Sequence, residues 1–231
     1  GYYEILPISQ PQDAGGNTSK GNPELQHTTA DNFDLRYEFF PKANQQFFIG
    51  GFYKKLQNPI ENIFLGTTTS EPSNAKEATI YGGEIIYNRY FGDFGINANY
   101  AYTHSDVNGS KLDPKTGDTT YQHRPLQGQP ENEFNLALEY KNDKAKFFIQ
   151  IAYQYNGRTL YRVNPYLGYD YYQQPQSFVS LSADKGFGKH FTLFGKFNNL
   201  LNTATVIKTY NLKTGNDMTK ASGIIGIRYS R

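Results

Sequence analysis

Residues 94 to 103 read Phe-Gly-Ile-Asn-Ala-Asn-Tyr-Ala-Tyr-Thr, an alternation that an extended strand sorts onto two faces. Phe94, Ile96, Ala98, Tyr100 and Tyr102 fall on one side, and Gly95, Asn97, Asn99, Ala101 and Thr103 on the other, because successive strand side chains point in opposite directions. The pattern returns as Phe134, Leu136, Leu138 and Tyr140 against Asn135, Ala137, Glu139 and Lys141. It returns again as Phe147, Ile149, Ile151, Tyr153 and Tyr155 against Phe148, Gln150, Ala152, Gln154 and Asn156. Each run is roughly ten residues long, the length that a tilted strand needs to cross a bilayer. The fold class expected is all-β, a transmembrane antiparallel β-barrel with an apolar face toward lipid and a polar face toward a lumen.

Composition agrees with a wall of this kind. The 231 residues include 20 Tyr and 17 Phe but no Trp, no Cys and one Met. Mean hydropathy is -0.69, low for a compact core but natural where only alternate strand residues meet lipid. A Tyr-rich soluble β-sandwich would alternate too, and it stands as the competing fold. No window approaches about 18 consecutive apolar residues, so no transmembrane helix is expected. No basic segment followed by an apolar one opens the sequence, so an export signal is expected upstream or already removed. A net charge of +2 without a basic cluster gives no reason to expect nucleic acid as a partner.

Strands are expected at 31–40, 45–56, 77–91, 94–106, 130–141, 145–160, 176–186, 190–200 and 221–230. Short connections hold turn formers: Pro41-Lys42-Ala43-Asn44, Gly92-Asp93, Asn142-Asp143-Lys144 and Gly186-Phe187-Gly188-Lys189. Long ones, at 1–30, 57–76, 107–129, 161–175 and 201–220, are rich in Asn, Gly, Pro, Thr and Tyr. Outer-membrane barrels sort their loops in this way, with the short turns periplasmic. Gly1-Tyr2-Tyr3-Glu4-Ile5 is expected to end an earlier ascending strand. Nine strands are an odd number where bacterial single-chain barrels use even ones, so residues 1–231 are expected to be the C-terminal part of one larger barrel. The two edge strands should then pair with strands from elsewhere in the same protein.

With that layout in place, several segments resemble the C-terminal part of TonB-dependent outer-membrane receptors. They are Gly21-Asn22-Pro23-Glu24-Leu25 followed by Asp31-Asn32-Phe33-Asp34-Leu35-Arg36-Tyr37-Glu38, then Gly51-Phe52-Tyr53-Lys54-Lys55-Leu56-Gln57-Asn58-Pro59-Ile60 and Gly82-Gly83-Glu84. Asn99-Tyr100-Ala101-Tyr102-Thr103, Arg124-Pro125-Leu126-Gln127-Gly128-Gln129 and Asn198-Asn199-Leu200-Leu201-Asn202 continue the series in family order. The resemblance implies a 22-stranded barrel, of which this chain supplies the last nine or ten strands. It also implies a plug domain and a TonB-contacting segment, neither present in residues 1–231, and a bacterial outer-membrane location. Partners implied are outer-membrane lipid, the remaining strands and plug, a TonB-type energy-transducing protein and, for glycan importers, a surface lipoprotein. The activity implied is energy-dependent uptake of a scarce or large ligand such as a ferric siderophore, cobalamin or an oligosaccharide. A passive porin-like channel and a soluble or surface carbohydrate-binding sandwich are the alternatives. The chain closes Ile225-Gly226-Ile227-Arg228-Tyr229-Ser230-Arg231, so either Tyr229 serves as the final aromatic anchor or the protein continues.

Site residues follow from the faces. Asp34, Arg36, Glu38, Glu84, Asn97, Asn99, Gln150 and Gln154 should face the lumen, as should Asn88 and Glu139. A lipid-facing Arg or Lys near the midplane costs about 2–4 kcal/mol, which fixes this choice of face. Lumenal charges either hold a plug and line a solute path, or balance one another across neighbouring strands. Tyr161, Tyr166, Tyr169, Tyr171 and Tyr172 offer stacking faces and hydroxyls to a ligand, or else pack within the loop and the interfacial girdle. No catalytic residues are expected, since no nucleophile or phosphate-loop signature appears. His27, His104, His123 and His190 are too scattered for a metal centre, and Asp113-Pro114-Lys115-Thr116-Gly117-Asp118 reads as a turn rather than a calcium loop. No cofactor is expected. The outer loops, the 161–175 tip above all, are read as recognition surface and Ile225 and Ile227 as lipid-facing scaffold.

Overall fold

The structure, a computed structural model, describes residues 4–11, 17–42, 45–66, 68–210 and 212–230. Residues 1–3 of the expected ascending strand, 43–44 of the first short turn, and Arg231 lie outside the described residues. Among the described residues eighteen strands follow in chain order. They are β1 (Ser9–Pro11), β2 (Thr18–Lys20), β3 (Thr29–Phe39), β4 (Gln46–Gln57), β5 (Ile60–Leu65), β6 (Thr69–Asn74), β7 (Glu77–Phe91), β8 (Phe94–Leu112) and β9 (Thr119–Arg124). Then come β10 (Asn132–Asn142), β11 (Phe147–Asn156), β12 (Thr159–Arg162), β13 (Tyr171–Gln173), β14 (Gln176–Phe187), β15 (Phe191–Asn198), β16 (Thr205–Thr209), β17 (Leu212–Asp217) and β18 (Ser222–Tyr229).

Nine of these make one continuous antiparallel wall in the order β18-β15-β14-β11-β10-β8-β7-β4-β3, matching the nine alternating segments of the sequence. The wall does not close on itself among the described residues: β3 and β18 end the path. Register carries the alternation across strands. One ladder row runs through Tyr37, Ile49, Ile85, Tyr100, Phe134 and Tyr155. The next runs through Phe39, Phe47, Tyr87, Ala98, Leu136, Tyr153 and Val179. Facing residues in an antiparallel pair share a side, so these rows add up to one apolar surface. Leu35 (83 % exposed), Phe94, Leu138, Ile151, Ile225 and Ile227 all stand open on it, as expected of side chains whose solvent is lipid.

The turns at the short end follow from their residues. Gly92, with φ of 60°, lets Phe91 and Phe94 face each other across a two-residue connection. Lys146 adopts φ of 48°, and its side chain lies across Gly186 to donate to the Gly188 carbonyl.

The opposite end departs from expectation. Four of the five long segments hold two further sheets, β1-β2-β6-β5 and β12-β13-β16-β17, with β2 and β6 parallel. The strand expected over 145–160 is two, broken at the buried Gly157, whose added Cβ would meet the Asn132 carbonyl at 2.9 Å. β8 overruns its expected end at 106 by six residues and takes β9 as a new partner above β10. The fully buried side chains sit at this end: Val107, Leu160, Val163 and Lys111.

Candidate functional site

β8 continues its alternation past the wall, so that Ser105, Val107, Gly109 and Lys111 are buried in phase. The long excursions are tied to β8 and to one another by backbone hydrogen bonds. Phe64 N–H donates to the Val163 carbonyl (2.9 Å), Leu112 N–H to Pro165 (2.8 Å) and Gly128 N–H to Leu160 (2.9 Å). Two ion pairs lie inside this assembly. Arg124 forks onto Glu61 through Nη1 (2.8 Å) and Nη2 (2.7 Å). Lys111 donates to Asp170 Oδ1 (2.5 Å) and to the Asn164 carbonyl (2.5 Å). Their side chains are between 0 and 3 % exposed.

Burial pushes the Lys111 ammonium below its ordinary range, and Asp170 offsets this only in part. Burial opposes the Arg124 charge too, but Glu61 and then Asp170 outweigh it and hold the guanidinium above its usual value. Burial, with Asp170 nearby, also raises the Tyr172 phenol. The four charges therefore act as one neutral network joining β5, β8, β9 and the 163–170 segment. Asp170 Oδ2 and Arg124 Nε have no hydrogen-bond partner among the described residues.

The five expected ligand-contact tyrosines do not form one surface. Tyr171 and Tyr172 face Thr209 and Lys208 at successive positions, which sends their rings to opposite sides of the β12-β13-β16-β17 sheet. Tyr172 is half-buried beneath the Arg158 guanidinium, 3.7 Å from its ring centre. That pair borders a cleft of about 250 Å³ together with His104, Ser105, Gln129 and Glu131. Tyr169 stacks on Tyr210 (centroids 6.0 Å apart, planes 15° from parallel), and both rings are exposed. Tyr161 lies under the neighbouring Arg162, and Tyr166 is exposed beside the bridge to Leu112. Arg158, Tyr210 and the four buried charges escaped the sequence reading. Tyr210 holds φ of 52°, unusual for a bulky side chain, and nothing in the local sequence announces it.

On the wall, register puts Asp34, Arg36, Glu38, Glu84, Asn97, Asn99, Gln150 and Gln154 on one face, opposite the apolar rows. Half of that face is a self-satisfied ladder. Glu139 accepts from Tyr90 (3.0 Å), Asn97 (2.8 Å) and Gln150 (3.0 Å), and Asn135 donates to Asn99 (2.9 Å). The other half is open: Arg36 pairs with Glu38 (3.0 Å), while Asp34 and Glu84 make no ion pair or side-chain hydrogen bond among the described residues. The histidines remain apart, His104 near Glu131 (3.7 Å) and His123 against Asp106 (2.8 Å).

A two-faced wall with folded outer segments and short turns matches a known family model, described as TonB dependent receptor-like, beta-barrel, over residues 1–200. The chain belongs to that family. TonB-dependent receptor barrels lie in the Gram-negative outer membrane, which identifies the apolar rows as lipid-facing. Among solved structures, the chain is similar to the ferric enterobactin receptor PfeA of Pseudomonas aeruginosa (G324V mutant), at 15 % identity and a TM-score of 0.61 over 99 % of this chain. It is also similar to the FrpB iron transporter of Neisseria meningitidis, at 12 % and 0.61 over 91 % of the chain. The siderophore receptor PirA of Acinetobacter baumannii aligns at 17 % and 0.57 over 92 %. This TonB-dependent receptor chain spans 36, 31 and 33 % of those three chains, about a third of each. No curated protein matches it.

Proposed function

We propose that residues 1–231 are the C-terminal part of the barrel of a TonB-linked importer, whose plug and TonB-contacting segment lie upstream. We propose a ferric siderophore as its ligand. The observation that carries this reading is the family match over residues 1–200, which hold eight of the nine strands of the two-faced wall. Named siderophore and iron receptors among its structural likenesses favour an iron chelate over cobalamin or an oligosaccharide. The outer tyrosines supply the recognition surface, with Tyr169 and Tyr210 as a flat platform and Tyr172 with Arg158 at the mouth of the cleft. Asp34 and Glu84 present unspent polarity to a plug beside the Arg36–Glu38 pair, whereas Asn97, Asn99, Gln150 and Gln154 complete the lumenal lining of the wall.

The test is uptake of iron-55 siderophores by cells carrying or lacking the full-length gene, with and without a functional TonB system. Uptake lost in both mutants supports import. Permeation that persists without TonB makes the protein a passive pore, and uptake of labelled cobalamin or oligosaccharide instead reassigns the ligand. Tyr169→Ala or Tyr210→Ala should weaken binding to cells about two- to tenfold, the worth of one aromatic pair, while heat-modifiable gel mobility stays normal.

A further inference from the structure

The lipid-facing rows carry two charges between the Tyr53 and Tyr81 level and the short turns: Arg89 on β7 and Lys185 on β14. Every other described position of that surface, from Phe33 to Tyr229, is apolar, aromatic, Gly, Ser or Asn. The two cations occupy equivalent places. Each lies on a strand running toward a short turn, two residues before the aromatic that closes the face, in Arg89-Tyr90-Phe91 and Lys185-Gly186-Phe187. Both lean toward the turns. The Arg89 guanidinium lies over the Phe91 ring at 4.7 Å, and Lys185 Nζ donates to the Ala145 carbonyl in the 142–146 turn at 2.6 Å. Long cationic side chains on a lipid face bend toward the headgroups in this manner, keeping the stem in hydrocarbon and the charge in the wet layer.

The surroundings of Lys185 suit a lipid. Register sets it between Phe147 and Leu193 on the apolar face, and Lys144, Lys146 and Lys189 lie in the two turns that flank it. A cleft of about 200 Å³ between these turns opens on the other side of the sheet, where register places Lys141, Phe148, Asp184 and Thr192, so it faces the lumen and takes no part in the site. A phosphodiester with an acyl chain fits the apolar side, the charge at Lys185 and the chain along Phe147 and Leu193.

We infer that Arg89 and Lys185 are binding sites for anionic phospholipid headgroups of the periplasmic leaflet. The sites rest on the orientation with short turns in the periplasm and are independent of what the receptor imports. Four strand spacings separate β7 from β14, about 19 Å, so the two cations hold different lipid molecules.

Full-length receptor in neutral detergent, given equimolar phosphatidylglycerol and phosphatidylcholine of the same acyl length, tests this by native mass spectrometry. Phosphatidylglycerol should be retained preferentially, by about fivefold for each cation. Arg89→Gln with Lys185→Gln should bring the two lipids to parity, and Arg89→Lys with Lys185→Arg should restore the preference. Lys185→Met, which keeps the apolar stem, replaces the Gln change if that variant fails to show heat-modifiable mobility. Millimolar inorganic phosphate should displace none of the bound lipid. Equal retention by the unaltered receptor, selectivity surviving loss of both cations, or displacement by inorganic phosphate would each overturn the inference.

Discussion

The wall and the outer assembly solve the same chain's burial problem in opposite ways. In the wall, side chains alternate cleanly, Leu35, Phe94 and Ile227 stand open, and the hydrophobic solvent is supplied by the membrane. In the outer assembly there is no membrane to meet, so the chain builds a small core of its own from Val107, Leu160 and Val163. It also buries four charges that have to satisfy one another. A lipid-exposed sheet tolerates almost any apolar residue, whereas a buried ion network tolerates loss of neither partner. The outer end is therefore more sensitive to single substitutions at its charges than the wall is at most of its positions.

The largest expected effect breaks the outer half alone. Glu61→Ala strands the Arg124 guanidinium in a buried site, a destabilisation of about 3–5 kcal/mol. Proteolysis should then nick the 107–129 and 161–175 segments in intact cells, while the barrel keeps its heat-modifiable mobility. Barrel loss in that variant would show that the two regions are not separable. Glu61→Leu with Arg124→Met should regain most of the resistance, since an apolar pair replaces the ion pair. Next comes Ile151→Lys, in the row with Leu138 and Leu181 and five residues from its turn. It should cost about 2–4 kcal/mol and reduce assembled receptor. Gly82→Ala should have a smaller effect, about 1–3 kcal/mol of overpacking, read as a lower urea midpoint. An added Cβ there would meet the Tyr102 carbonyl at 2.1 Å and the Phe52 ring at 2.8 Å.

The smallest effect refines an expectation from sequence. Ile227 lies on the lipid face as anticipated, but it shares its row with Leu193, Lys185 and Phe147, close to the turn rim. Ile227→Lys should therefore cost only about 0–1 kcal/mol, the value near an interface, and assembled barrel should be nearly normal on the same gels. Deletion of the 161–175 tip also takes on a different meaning. That segment contributes Val163 and Asp170 to the outer core, so its loss should loosen β5 and β8 together rather than remove ligand contacts alone.

The wall was legible because its rule is local. A period of two read from Phe94 to Thr103 already decides which way each side chain faces, and register only repeats it on the next strand. The outer sheets obey no such rule. β6 is Thr-Ser-Glu-Pro-Ser-Asn, with a proline inside it and no apolar alternation, and it is a strand because β5 and β2 flank it. Lys111 and Arg124 read as solvated charges in isolation, and only distant Asp170 and Glu61 make them interior groups. The Asn198–Asn202 motif was visible as a family likeness but not as a mechanism. Asn199 adopts φ of 50° and bonds Thr203 on both sides of its amide and Thr219 through Nδ2, locking the chain as it leaves β15.

β8 runs unbroken for 19 residues, and ten of them, from Thr103 to Leu112, lie beyond the Tyr102 level. At the usual rise and tilt those ten residues climb about 25 Å above the interface. The strand acts as a mast: it carries the tyrosine surfaces clear of the headgroup layer, so that the ligand proposed above would first touch the receptor well away from the lipid plane.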